Sequence, residues 1–149
     1  MDKRHRPVTI LIAEDDPDDQ RLIREALGGF GPAKDLRFVG EGEELLDYLH
    51  QRGRYGDPAN APRPALILLD LNMPRKDGRE ALREIKQNPA LRVIPVIVFS
   101  VSQAAEDILS SYELGANSYM RKPLSFADFI ATMRTWTDYW LNTAELASR

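Results

Sequence analysis

Five side chains with reactive potential stand at or just beyond short apolar runs: Asp15, Asp16, Asp70, Ser100 and Lys122. Asp70 ends the run Leu66-Ile67-Leu68-Leu69 and is followed by Asn72, Met73, Pro74 and Asp77-Gly78. Asp15 and Asp16 sit in an acidic block, Glu14 to Asp19, behind VTILIA; Ser100 ends IPVIVF; Lys122 precedes Pro123. Brought to one place, carboxylates, a hydroxyl and an amine can hold a hard divalent cation and neutralise an anionic group in transfer. Taken singly, each has a plainer reading. A strand-ending Asp serves as a cap or turn residue, acids favour a helix amino terminus, and Lys-Pro is a turn with a solvated amine.

Whether the five meet depends on the elements that carry them. Unbroken apolar runs suit strands buried on both faces of a parallel sheet, and the sequence predicts strands at 8–13, 36–39, 66–69, 94–99 and 118–120. Helices alternate with them. The first begins at Asp16-Pro17, where Asp16 can cap, and stops at Gly28-Gly29; the second runs over 43–52 behind a loop marked by Gly40 and Gly42. Residues 53–64, with Pro58, Pro62 and Pro64, read as an exposed connection without regular structure. The third helix covers 79–87. The fourth is capped by Ser102, closed by Gly115 and buries a face of Ile108, Leu109 and Tyr112. The last opens on Ser125 and Asp128, spaced as a capping box, with Leu124 and Phe129 spaced as a hydrophobic staple.

Strict β/α alternation predicts an α/β sandwich with a parallel sheet, and the expected form is flavodoxin-like (βα)5, doubly wound with strand order 2-1-3-4-5. That order makes the first and third strands neighbours, so Asp15, Asp16 and Asp70 converge. Each close pair of like charges then costs about 4 kcal/mol at about 4 Å and a near-surface dielectric. Mg2+ is the economical remedy. The oxygen donors suit it, whereas zinc would want His or Cys that this stretch lacks.

Composition narrows the setting. A chain of 149 residues fits one domain: a basic tail at 1–7, a compact unit at 8–142 and a C-terminal tail at 143–149. The absence of cysteine excludes disulfides and thiolate chemistry, and a net charge of −3 offers no basic field for nucleic acid. No run is long enough to cross a bilayer and no secretory signal is apparent, so a cytoplasmic protein is expected.

The residues just named carry a resemblance. Glu14-Asp15-Asp16, Leu69 through Pro74 with Asp77-Gly78, Ser100, and Tyr119 through Lys122-Pro123 resemble the receiver domain of two-component response regulators, over roughly residues 8–134. The resemblance implies that Asp70 accepts a phosphoryl group from a phosphohistidine on a sensor kinase. It further implies that Asp15, Asp16, Asp70 and the backbone carbonyl of Asn72 hold Mg2+. Ser100 is then the switch hydroxyl, Tyr119 the switch aromatic and Lys122 the partner of the phosphoryl group, with a cis bond expected at Lys122-Pro123. Output would leave through the fourth helix, fifth strand and fifth helix.

Two departures refine that expectation. Val101 follows Ser100 where many receivers carry a smaller residue, which would restrict small phosphodonors. The 53–64 loop and the tail near Trp140-Leu141-Asn142 resemble single-domain regulators that partner bacterial phytochromes. The last helix is apolar over a wide arc, so a homodimer through it, using Trp136, Tyr139 or Trp140, is expected. No DNA-binding unit has room after Asn142, and no direct nucleic-acid contact is expected. The competing reading is a Mg2+-dependent phosphatase with an aspartyl-phosphate intermediate. Such enzymes want a general acid two residues beyond the nucleophile, and Asn72 stands there. A flavodoxin-like cofactor module fits less well still, because the acidic first loop repels phosphate.

Overall fold

The computed structural model describes residues 7–147; the basic residues of the amino terminus, 1–6, lie outside it. Five parallel strands form one sheet in the expected order β2-β1-β3-β4-β5. They are β1 (Val8–Ala13), β2 (Lys34–Val39), β3 (Leu66–Leu69), β4 (Val96–Ser100) and β5 (Ser118–Arg121). The helices are α1 (Pro17–Leu27), α2 (Gly42–His50), α3 (Gly78–Gln87), α4 (Ala105–Glu113) and α5 (Phe126–Asp138). A π-helical turn, Tyr139–Thr143, follows α5.

Every residue of β3 and β4 is buried, because helices cover both faces of the sheet. Strand alternation sorts the core into two layers. Leu11, Ile67, Leu69, Val96 and Val98 pack with α2 and α3, whereas Ile10, Ile12, Leu66, Leu68 and Phe99 pack with α1 and α5. Each buried Leu or Ile is worth about 2 kcal/mol relative to exposure. Register then aligns the strand ends: Ala13 pairs with Leu69 and Ser100 with Arg121, so the residues that follow share one edge.

Local expectations hold at most helix starts. Asp16 caps α1 by accepting from Asp18 N at 2.8 Å, with Pro17 in the first turn. Ser125 caps α5 by accepting from Asp128 N at 3.1 Å. The staple does not form: Leu124 is 97% exposed while Phe129 packs on Phe99. Ser102 is not the cap of α4, a place Ala104 takes. Its Oγ accepts from Ala104 N and donates to Asp107, tying the preceding loop to the helix.

The face expected on α4 is also different. Leu109 and Tyr112 are 60% and 48% exposed, and Ser111 is the fully buried residue of α4. A helix beside the edge strand β5 has little sheet to cover, and the Tyr112 hydroxyl instead accepts from Tyr119 N.

The 53–64 connection is mostly exposed, as expected, but it is not without regular structure. Short 3-10 turns at Gly53–Tyr55 and Pro58–Asn60 fold it against α2, with Tyr55 and Ala61 buried. Two phenols pin it: Tyr48 donates to the Pro62 carbonyl and Tyr55 to Glu44. The expected cis bond is absent too. Lys122-Pro123 is trans, the form with the small intrinsic advantage. Finally, part of the expected C-terminal tail is packed, since Leu146 lies against the α1/α5 layer.

Candidate functional site

Asp70 leaves the end of β3 with its backbone N–H donating to Ala13 O, which locks it beside the end of β1. It is 7% exposed. Its Oδ1 accepts from Asn72 N at 3.0 Å and its Oδ2 from Lys122 Nζ at 3.1 Å. The turn behind it needs glycine: a Cβ on Gly78 would lie 2.7 Å from Asp70 O.

Lys122 is the charge centre. Its ammonium donates to Glu14 Oε1 at 2.5 Å, Asp19 Oδ2 at 2.9 Å and Asp70 Oδ2 at 3.1 Å, using all three protons. Its backbone N–H donates to Ser100 O, anchoring it past β5. Burial disfavours its charge, but the hydrogen bonds to Glu14 and Asp19 and the charges of Asp70 and Glu14 outweigh this and hold the amine above the usual lysine range. Glu14, 2% exposed, is pushed up to about 7. Burial is the main cause and the Asp70 charge adds to it, against the opposing pull of Lys122.

The acidic cluster differs by one position from the expected pair. Glu14, Asp15 and Asp70 offer carboxylate oxygens within 4.8 Å of one another, whereas the Asp16 carboxylate is engaged as the α1 cap. Asp16 remains on the cleft wall with Asn72, Val101 and Lys122. Sequence reasoning missed Glu14 as a cluster member. The signal was its place directly after the last apolar residue of β1, the counterpart of Asp70 after β3.

The remaining site residues lie close by. Ser100 is 1% exposed, and its Oγ accepts from Ser102 N at 3.2 Å, with no hydrogen bond to Asp70. Tyr119 is half-buried and donates from its hydroxyl to Ser102 O at 2.9 Å, reaching back to the same loop. Arg79 of α3 pairs with Asp107 at 3.0 Å, and Asp107 accepts from Ser102 Oγ at 2.6 Å, so α3, α4 and that loop are joined. Three hard carboxylates without a nearby thiolate suit an octahedral oxygen-loving cation, and a buried ammonium beside the same Asp suits a transferring anion.

Comparisons with known proteins agree with this geometry. Residues 10–134 match the response regulator receiver domain family. Response regulator Rcp1 of Synechocystis sp. is 41% identical over 145 residues, spanning 97% of each chain. Its Mn2+-bound crystal structure superposes with a TM-score of 0.89 at 42% identity, covering 95% of this chain and 100% of that one. The structure of the phosphorylated cyanobacterial phytochrome response regulator RcpA gives 0.90 at 43% identity, covering 96% and 100%. Fold, strand-end chemistry and sequence therefore converge, and the chain belongs to the receiver domain family of response regulators.

Proposed function

We propose that this receiver takes a phosphoryl group onto Asp70 from the phosphohistidine of a bacterial phytochrome kinase, with Mg2+ held by Glu14, Asp15, Asp70 and the Asn72 carbonyl. The observation that carries the reading is Asp70 itself, buried, hydrogen-bonded at both oxygens and facing a protonated lysine. The Asp70 carboxylate oxygen attacks phosphorus and the donor's bond to phosphorus breaks with its electron pair. Lys122 keeps its proton and neutralises charge on the transferring group. Mg2+, held by Glu14, Asp15 and Asp70, would supply further positive charge to the transferring group. The chain catalyses its own phosphorylation in this way and its dephosphorylation at the same place, where a water oxygen attacks phosphorus, the phosphorus–Asp70 oxygen bond breaks and the electron pair returns to the carboxylate.

After transfer, the added oxygens offer the Ser100 hydroxyl a new acceptor. That movement disturbs the loop to which Tyr119 is bonded and alters the α4-β5-α5 surface. Val101, 57% exposed on the cleft wall, narrows access for small donors. The phosphatase alternative is not favoured, because Asn72 offers no general acid at its required position.

The phytochrome partnership draws on the printed descriptions of RcpA and of RPA3017 of R. palustris, a response regulator in red light signalling. The test is transfer from an autophosphorylated, radiolabelled phytochrome kinase. Label is expected to move to this chain within minutes and to be released by hydroxylamine, as an acyl phosphate is. Kinases of this class that retain their label in its presence would refute the partnership.

A homodimer through α5 and the turn after it is the second part of the proposal. Trp136 cannot serve as expected, since it is 4% exposed and packs inward with Phe129 and Met133. Tyr139 remains 52% exposed and lines a surface groove with Trp140. Light scattering is expected to give twice the monomer mass. Monomer alone at high concentration, with and without a phosphoryl mimic, would defeat it.

A further inference from the structure

We infer that Asp19 is a positioning residue that restrains Lys122 and opposes the incoming phosphoryl group, setting how readily the site is labelled. The inference rests on the phosphoacceptor reading of Asp70. The Lys122 ammonium has three donors, and Glu14, Asp19 and Asp70 occupy them all. The three acceptors differ in kind. Glu14 belongs to the carboxylate cluster that suits a metal and Asp70 is the nucleophile, whereas Asp19, from the first turn of α1, belongs to neither set.

Asp19 is also the most exposed of the three, at 23% against 2% and 9% for the Glu14 and Asp70 side chains. Its 2.9 Å contact is shorter than the bond to Asp70, which at 3.1 Å is the longest of the three, so the ammonium is shared with a carboxylate outside the metal-suited cluster. A phosphoryl group arriving at Asp70 therefore meets a lysine already shared, with an extra negative charge just behind it. Such a charge raises the barrier for an anionic donor.

The charge and the tether can be separated. Asp19→Asn keeps an oxygen able to accept from Lys122 and removes the charge; Asp19→Glu keeps the charge. Labelling is driven by acetyl phosphate with Mg2+: the Asp70 oxygen bonds to phosphorus, the phosphorus–acetate oxygen bond breaks, and acetate leaves with the electron pair. Asp19→Asn is expected to label about threefold faster than wild type at saturating Mg2+, with Mg2+ binding slightly weakened because the same charge attracts a cation at Asp70, and with a weaker dependence of the rate on salt. Asp19→Glu is expected to label at the wild-type rate. Equal or slower labelling of Asp19→Asn overturns the inference, as does a salt dependence unaltered by the change. Adding Asp70→Asn to the Asp19→Asn background must abolish labelling. Labelling that survives there would instead overturn the phosphoacceptor reading, so the two failures are distinct.

Discussion

Asp70→Asn is expected to reduce labelling by acetyl phosphate or a kinase to background, at least about a hundredfold below wild type, while the fold survives. The amide has the shape of the carboxylate and can still accept from Asn72 N through its oxygen. It has no anionic oxygen with which to attack phosphorus. Its stability cost is small because two effects oppose one another: Lys122 loses an acceptor, and Glu14 loses a negative neighbour that raises its pKa. About 1 kcal/mol either way is the expected range for a hydrogen bond exchanged against a relieved repulsion. Mg2+ should also stabilise the variant much less than wild type, since a ligand that binds only the folded state raises stability in proportion to its affinity. Thermal melts with and without Mg2+, beside hydroxylamine-sensitive labelling, check both halves. Label retained on the variant would move the acceptor elsewhere.

The parts of this protein that the sequence made legible are those where one physical preference dominates. Leu66 to Leu69 has no polar residue to offer solvent, so it had to be a strand covered on both faces, and strict alternation with helices then limited the sheet to a few orders. Asp70 and Lys122 followed, because their places were set by strand ends. What stayed hidden was decided by tertiary contact. Gly42 looked like loop punctuation, yet it opens α2 against the β3-α3 loop, where a Cβ would fall 2.1 Å from Lys76 O. Tyr48 and Tyr55 turned a proline-rich connection into a packed flap through hydroxyl bonds that no local pattern announces. Asp16 was ambiguous at the outset, suited both to cap and to ligate. The structure uses it as the cap and places Glu14 beside Asp70, because the register of β1 against β3 sets the first acid after each strand side by side.

The second large effect is expected from Lys122→Met, which keeps the aliphatic stem and removes the charge. In wild type the ammonium serves two nearly inaccessible carboxylates, Glu14 and Asp70, together with Asp19. Removing one partner of a buried ionic group leaves the others uncompensated, at a cost of about 3–5 kcal/mol. The loss should depend on pH, with a definite sign. Glu14 is raised in the folded wild type from 4.5 to about 7, so its contribution to stability is full below about 4.5 and fades as pH climbs through 7. Without Lys122 its hydrogen bond and its charge no longer lower Glu14, leaving only the Asp16 N–H to do so, and the folded pKa of Glu14 rises further. The carboxyl can then stay neutral in mild acid, where the variant loses only what Lys122 contributes to Asp70 and Asp19, but must ionise unpaired or resist ionisation as the solution turns alkaline. Lys122 itself is raised above 10.5, so the wild type keeps its ammonium throughout this range. The gap between the two proteins therefore opens from about pH 5 and is widest near about pH 9. Mg2+ should narrow it by replacing the missing cation among Glu14, Asp15 and Asp70. Urea denaturation across that range, in chelator and then in Mg2+, measures each term; a variant as stable as wild type at alkaline pH without metal would show that Lys122 does not hold this site together.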